Sequence, residues 1–382
     1  MPDSKSAVRD NTPDIGPPEP TRLSKGELKT EEYWWRDRQK WLEEQGYMLR
    51  ARYKPDWMPS WKATHKPYWK CEDGQAIMVP HLLDATRIPD GESVVLKRIL
   101  TTEHPYEVAI TRFLSSEPLA SDSRNHCVRL CDVLNVPNED DTVILVMPLL
   151  RRYDSPPFET VGEAVDFFSQ VFEGLQFMHH HYVAHRDCMN QNIMLDPKPL
   201  YPEPYHPRVI DWTRDLSRPA KHHTRTTHPT QYYLIDFGLS RRYDPADGPP
   251  REAPILGGDK SVPEFRNAKE PCDPFPTDIY YLGNLVREDF LQTYHGVEFM
   301  QPLVDDMVQD EPGRRPTIDE VVSRFVDMRS SLGARKLRSR LVARNENPVE
   351  RVVKGVKHVL GNTRKVSHPV PTVNGGREQS PA

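Results

Sequence analysis

The stretch from Ala184 to Asp196, AHRDCMNQNIMLD, constrains this chain more than any other, because it sets a dense polar cluster between two apolar segments. Upstream, EAVDFFSQVFEGLQFMHHH places Val165, Phe168, Phe172, Leu175 and Met178 on one helical face. Downstream, NIML begins a short apolar strand. A helix, a tight loop and a strand in this order aim Asp187 and Asn192 into one cleft. A second strand, YYLIDFG, ends on Asp236, where Gly238 lets the chain turn sharply. Two carboxylates and a carboxamide oxygen form a hard-oxygen set suited to Mg²⁺, which favours one or two carboxylates together with substrate phosphates. Lys97 closes the β-run VVLK and offers a compact point charge for a phosphate. Glu107, on the helix that follows, is its natural partner.

These motifs resemble those of the eukaryotic protein-kinase family. HRDCMNQN resembles the catalytic loop H-R-D-x-x-x-x-N, DFG stands intact at Asp236 to Gly238, and VVLK resembles V-A-I-K. Pro263-Glu264 in SVPEF resembles the end of an activation segment. DIYYLG, Asp278 to Gly283, resembles the D-x-W-x-x-G helix start, and DEPGRRPT ends in a late Arg-Pro-Thr with Arg315. LVMPLL resembles a hinge, with Met147 as gatekeeper and Leu149 beside the nucleotide.

The resemblance covers roughly residues 80–330 and implies an α+β, bilobal protein-kinase-like fold with a small β-rich N-lobe and a larger, mostly helical C-lobe. It implies ATP and Mg²⁺. Asp187 would accept or orient the proton of the attacking hydroxyl, Asn192 and Asp236 would hold the metal, and Lys97, paired with Glu107, would position the α- and β-phosphates. Arg186 would receive a phosphate carried by the activation segment, for which Ser240, Ser261 and Tyr243 are the hydroxyl candidates. A Glu264–Arg315 ion pair would brace the large lobe. The implied function is transfer of the γ-phosphate of ATP to a protein hydroxyl, with Ser/Thr favoured; the alternative is a pseudokinase acting as an ATP-binding or nucleotide-free scaffold.

Two departures keep that alternative open, and a third bears on the choice of Glu107. The stretch DGQAIMVPHL, where a glycine-rich phosphate loop belongs, has only Gly74, and Pro80 supplies no N–H. Met189 stands two residues after Asp187, where Ser/Thr kinases usually carry a lysine. Glu103 lies one turn before Glu107 as a competing partner for Lys97. Small-molecule phosphotransferases related to the aminoglycoside enzymes share the Asp-x4-Asn logic, but they lack the Pro-Glu and Arg-Pro-Thr signals.

Composition narrows the remaining classes. A net charge of −5 over 382 residues carries no nucleic-acid signature. No apolar run approaches the roughly 20 residues that span a bilayer, and Met1 to Thr30 has no secretory core, so an intracellular chain, cytoplasmic or nuclear, is expected. Five scattered cysteines argue against a disulfide framework, and Cys127 with Cys131 lacks the second pair of a zinc site. Residues 1–30 are read as disordered and 31–79 as an aromatic helix and N-terminal extension. The helix, EEYWWRDRQKWLEEQGYMLRARY, docks on the main domain or binds a partner. Residues 80–332 form the kinase-like domain, divided at 150. Its insertion 197–230 reads as an irregular surface loop pinned by Trp212, with His222, His223 and His228 solvated. The basic tail 333–382 reads as partly disordered, with a solvated helix face or a site for an anionic partner.

Overall fold

The computed structural model describes residues 26–255, 257–267 and 270–363; the disorder expected before residue 26 and after residue 363 lies outside them. Leu28 already packs into the small-lobe core, so ordered chain begins inside the segment expected to be disordered. The long aromatic helix is in fact two short ones, α1 (Tyr33–Arg36) and α2 (Gln39–Glu44). Gly46, at φ +92°, then takes a left-handed conformation that a Cβ would penalise, and the chain turns into strand β1 (Tyr47–Leu49). Trp35 and Leu42 are fully buried against the small-lobe sheet. This helical pair is core.

That sheet contains β1, β2 (Leu82–Arg87), β3 (Ser93–Leu100), β4 (Asp132–Asn135) and β5 (Thr142–Pro148), in the order β1-β2-β3-β5-β4 with every pair antiparallel. It therefore begins at Tyr47, well before the expected boundary at residue 80. Three residues are too few to display a strand period in sequence, although Tyr47 and Leu49 point inward and Met48 outward as the period requires. The β2–β3 hairpin turns at Asp90-Gly91, as those residue types favour. Between β1 and β2 runs a long connection with a short helix, α3 (Ser60–Thr64). Gly74 lies buried in a turn of that connection, not in a phosphate-facing loop. A fully buried ion pair ties the extension down: Arg52 donates two hydrogen bonds to Glu32, at 2.9 and 2.8 Å, and Tyr53 adds a third.

Helix α4 (Glu107–Leu114) packs beside the sheet. The large lobe follows with β6 (Arg151–Arg152), α5 (Val161–His180), β7 (Val183–Ala184), β8 (Ile193–Leu195), β9 (Tyr232–Leu234), β10 (Arg241–Arg242) and α6 (Phe275–Leu285). After these come β11 (Tyr294–His295), α7 (Gln301–Met307), α8 (Ile318–Ser331), α9 (Ala334–Leu337), β12 (Val342–Ala343) and α10 (Pro348–Thr363). Thr160 and Glu163 form a reciprocal capping box that starts α5. The expected face, Val165 to Met178, is buried throughout, and Phe168 and Phe172 meet Phe325 of α8 edge to face. A β-rich small lobe thus sits on a helical large lobe, in the bilobal arrangement. No helix among the described residues is long and apolar enough to cross a membrane, and all five cysteines are free.

The insertion 197–230 is irregular and mostly exposed, with His222, His223 and His228 at the surface as expected, but a few of its residues pack into the body. Leu200 and His206 are fully buried, and Tyr201 and Tyr205 lie under the Arg151 guanidinium at 4.5 and 4.7 Å from the ring centroids. Trp212, the expected pin, is 40 % exposed. A cation on two aromatic rings and the Arg151 hydrogen bond to the Ile210 carbonyl do the pinning instead.

Candidate active site

Strand alternation aims Lys97 away from the small-lobe core and into the cleft. Its ammonium lies 2.6 Å from Glu107 Oε1 and 2.7 Å from Asp236 Oδ1. Burial alone would lower the Lys97 ammonium, but these two carboxylates outweigh it and hold it above its ordinary value. For Asp236, burial acts upward, and Lys97 overrides it to leave the carboxyl below the usual range. Glu103 stays exposed, so the Lys97 partner is Glu107. Asp236 itself is left-handed, at φ +64°, and Phe237 behind it is buried in the large-lobe core. His104 Nδ1 meets the Gly238 carbonyl at 3.2 Å and ties α4 to this turn.

The catalytic-loop candidates are positioned by the buried Asp278 of α6. Its carboxylate accepts the backbone N–H groups of His185 and Arg186, at 2.8 and 2.7 Å. Arg186 is thereby kept at φ +67°, a conformation that costs an L-residue about 1–3 kcal/mol. Asn192 Nδ2 donates to the Asp187 carbonyl and to Asp187 Oδ2, both at 2.8 Å. Gly258 N–H donates to the other carboxylate oxygen, Oδ1, at 2.9 Å. A Cβ at Gly257 would sit 2.5 Å from that oxygen, and one at Gly258 would overlap the Met189 sulfur. Glycines let the segment backbone approach the carboxylate this closely. Burial raises the Asp187 carboxyl above its ordinary range against the opposing effect of these donors.

The donor set fits magnesium chemically. With its nitrogen committed to Asp187, Asn192 retains its amide oxygen, and Asp236 retains Oδ2. No three His, Cys, Asp or Glu side chains converge as ligands among the described residues, so an ion here needs phosphate oxygens and water as well. Met147 is buried at the end of β5, paired in register with Val95, and the Leu149 N–H donates to the Ser93 carbonyl.

A charged cluster at the outer end of the cleft was not foreseen. Antiparallel register places Leu82 opposite Lys97, Asp84 opposite Val95 and Thr86 opposite Ser93, all on the cleft face. Asp84 lies 3.0 Å from Arg50 Nε, and Glu72 lies 3.6 Å from Arg50 Nη1. From the insertion, Arg214 reaches the Ser93 and Thr86 hydroxyls at 3.2 and 3.3 Å. His206 Nδ1 accepts the N–H groups of Arg208 and Val209, which leaves its Nε2 to face Glu72 at 3.7 Å. The insertion and the β1–β2 connection thus meet over the strand roof. The expected ion pair of the large lobe is also present: Arg315 grips Glu264 with two bonds of 2.7 Å.

No protein-family profile matches the chain. It is similar to a light-sensor protein kinase of Ceratodon purpureus, 27% identical over 167 residues, 42% of this chain and 12% of that protein. It is also similar to the serine/threonine-protein kinase ATG1 of Chaetomium globosum, 27% identical over 158 residues, 40% of this chain and 16% of that protein. The serine/threonine-protein kinase pim-2 of Danio rerio is 25% identical over 131 residues, 29% of this chain and 42% of that protein. The chain thus spans less than half the length of each of these relatives. These similarities support a kinase-like relationship at family level.

Proposed function

We propose that the chain is an ATP-dependent protein kinase acting on Ser or Thr hydroxyls. The observation that carries this reading is the Lys97 ammonium held between Glu107 and Asp236 at 2.6 and 2.7 Å. A cation so fixed is placed to hold nucleotide phosphates, and catalysis of phosphoryl transfer is mostly positioning and charge stabilisation. Asn192 and Asp236 would hold magnesium, which when bound neutralises charge on the phosphates. The substrate hydroxyl attacks the γ-phosphorus, the bond to the β–γ bridging oxygen breaks to release ADP, and the hydroxyl proton passes to Asp187. Arg186 acts through the segment it anchors, while Met147 and Leu149 border the base. ATP as donor and five free cysteines suit an intracellular protein substrate.

The second reading, a scaffold pseudokinase, is favoured by the charged cluster around Asp84, which stands on the same strand face as Lys97. Transfer of labelled γ-phosphate from Mg-ATP to a generic protein acceptor decides between them. Wild type is expected to transfer label, and Asp187→Asn to lower the rate about 10²–10⁴-fold, the usual contribution of a positioned base. Equal rates in the two proteins would remove Asp187 from the mechanism; no transfer and no ATP-dependent thermal shift in wild type would favour the scaffold.

A further inference from the structure

The activation segment was expected to present a phosphate to Arg186, yet that guanidinium already has an anion. Arg186 is 5 % exposed, and its Nη1 lies 2.7 Å from Glu252 Oε2. A guanidinium this deeply buried requires a counter-charge, and the carboxylate supplies it as an ion-pair contact in which Nη1 makes no hydrogen bond. Its Nη2 donates to the Ala253 carbonyl at 3.2 Å, so charge and backbone of one short stretch are gripped together. The opposite edge of that stretch is fixed too: Glu252 and Cys272 exchange two backbone hydrogen bonds of 2.9 Å each, and Arg251 donates to the Pro271 carbonyl.

The two serine candidates are otherwise engaged, and the third candidate is buried. Ser240 is fully buried and donates to the His185 carbonyl at 2.9 Å. Ser261 donates to the Asp259 carboxylate at 2.7 Å, where a phosphate would meet like charge. Tyr243 has a buried hydroxyl. Six residues beyond Glu252, Gly258 delivers its N–H to Asp187. The Arg186–Glu252 contact therefore sets how the segment arrives at the carboxylate proposed to take the proton.

We propose that Glu252 is a built-in positioning anion, which orders the segment through Arg186 so that phosphate transfer needs no phosphorylated residue between Gly238 and Glu264. The proposal rests on the kinase reading for its catalytic consequence, whereas the anchor itself is a separate matter that amide exchange reads directly. Full-length protein is treated with phosphatase, shown phosphate-free by intact mass, and assayed beside untreated protein, Glu252→Gln and Glu252→Asp. Treated wild type is expected to keep its initial rate within two-fold. Glu252→Gln is expected to lose about ten-fold in kcat with the KM for ATP within two-fold, and Glu252→Asp, which keeps the charge, to recover most of that loss; ten-fold corresponds to about 1.4 kcal/mol. A rise in KM alone, an equal loss in the Asp variant, or a treated wild type that regains its rate only on phosphorylation would overturn the proposal. Amide exchange over residues 250–258 gives the second arm. Protection that falls in Glu252→Gln at unchanged thermal midpoint supports the anchor even if wild type transfers nothing, in which case the activity reading alone fails. Unchanged exchange overturns the anchor.

Discussion

At the scale of the residue, the cleft shows which side chains a short sequence window announces and which it conceals. Asp187 and Asn192 are five residues apart on one loop, and Asp236 precedes its own glycine, so local spacing brought them to notice. Glu252 did not stand out because nothing local distinguishes it from any other exposed acid. Its signal, in retrospect, was the scarcity of hydroxyls between Gly238 and Glu264. The Glu264–Arg315 pair belongs to this scale as well. Burial pushes the Glu264 carboxyl up, but the Arg315 hydrogen bonds prevail and hold it below its ordinary value. A carboxyl lowered in the folded state contributes stability above its unfolded pKa, and that contribution disappears as pH falls through the folded value. Arg315→Met is expected to cost about 3–5 kcal/mol at pH 7, as loss of one partner of a buried pair does. In paired thermal melts, the gap between wild type and variant should narrow below about pH 4.5; a constant gap would show that the pair adds no charge-dependent stability.

At the scale of the element, the N-terminal extension is part of the small lobe. Its tryptophans gave a correct sense of burial and a wrong sense of continuity, since helical spacing survives a two-residue break. Gly46 and the three-residue β1 decide the outcome, and β1 stays in place because β2 offers it an edge to pair with. The Glu32–Arg52 pair, fully buried on both sides, fastens the helical end to the strand end. Arg52→Met leaves Glu32 without its counter-charge and is expected to destabilise by about 3–5 kcal/mol, read as a lower denaturant midpoint. A midpoint within error of wild type would mean that the extension contributes nothing to the stability of the lobe.

At the scale of the whole molecule, the insertion connects what the sequence sets apart. It stacks on Arg151 below the hinge and reaches the strand roof through Arg214 and His206, while Lys198 meets Glu92 at 2.8 Å. Arg151→Ala removes both ring contacts and the bond to Ile210, so trypsin is expected to cut faster after Arg208, Arg214 or Lys221. An unchanged digestion pattern would show that other contacts hold the insertion. The sequence by itself determined the lobe order, the long α5 face, the β2–β3 hairpin and the spacing of the cleft residues, because helix period, turn chemistry and loop spacing are local properties of the chain. Only the tertiary structure decided that Asp84, Arg50, Glu72, His206 and Arg214 converge and that Glu252 lies against Arg186. Those contacts join residues far apart in sequence, and charge pairing between distant segments depends on packing that no local pattern records.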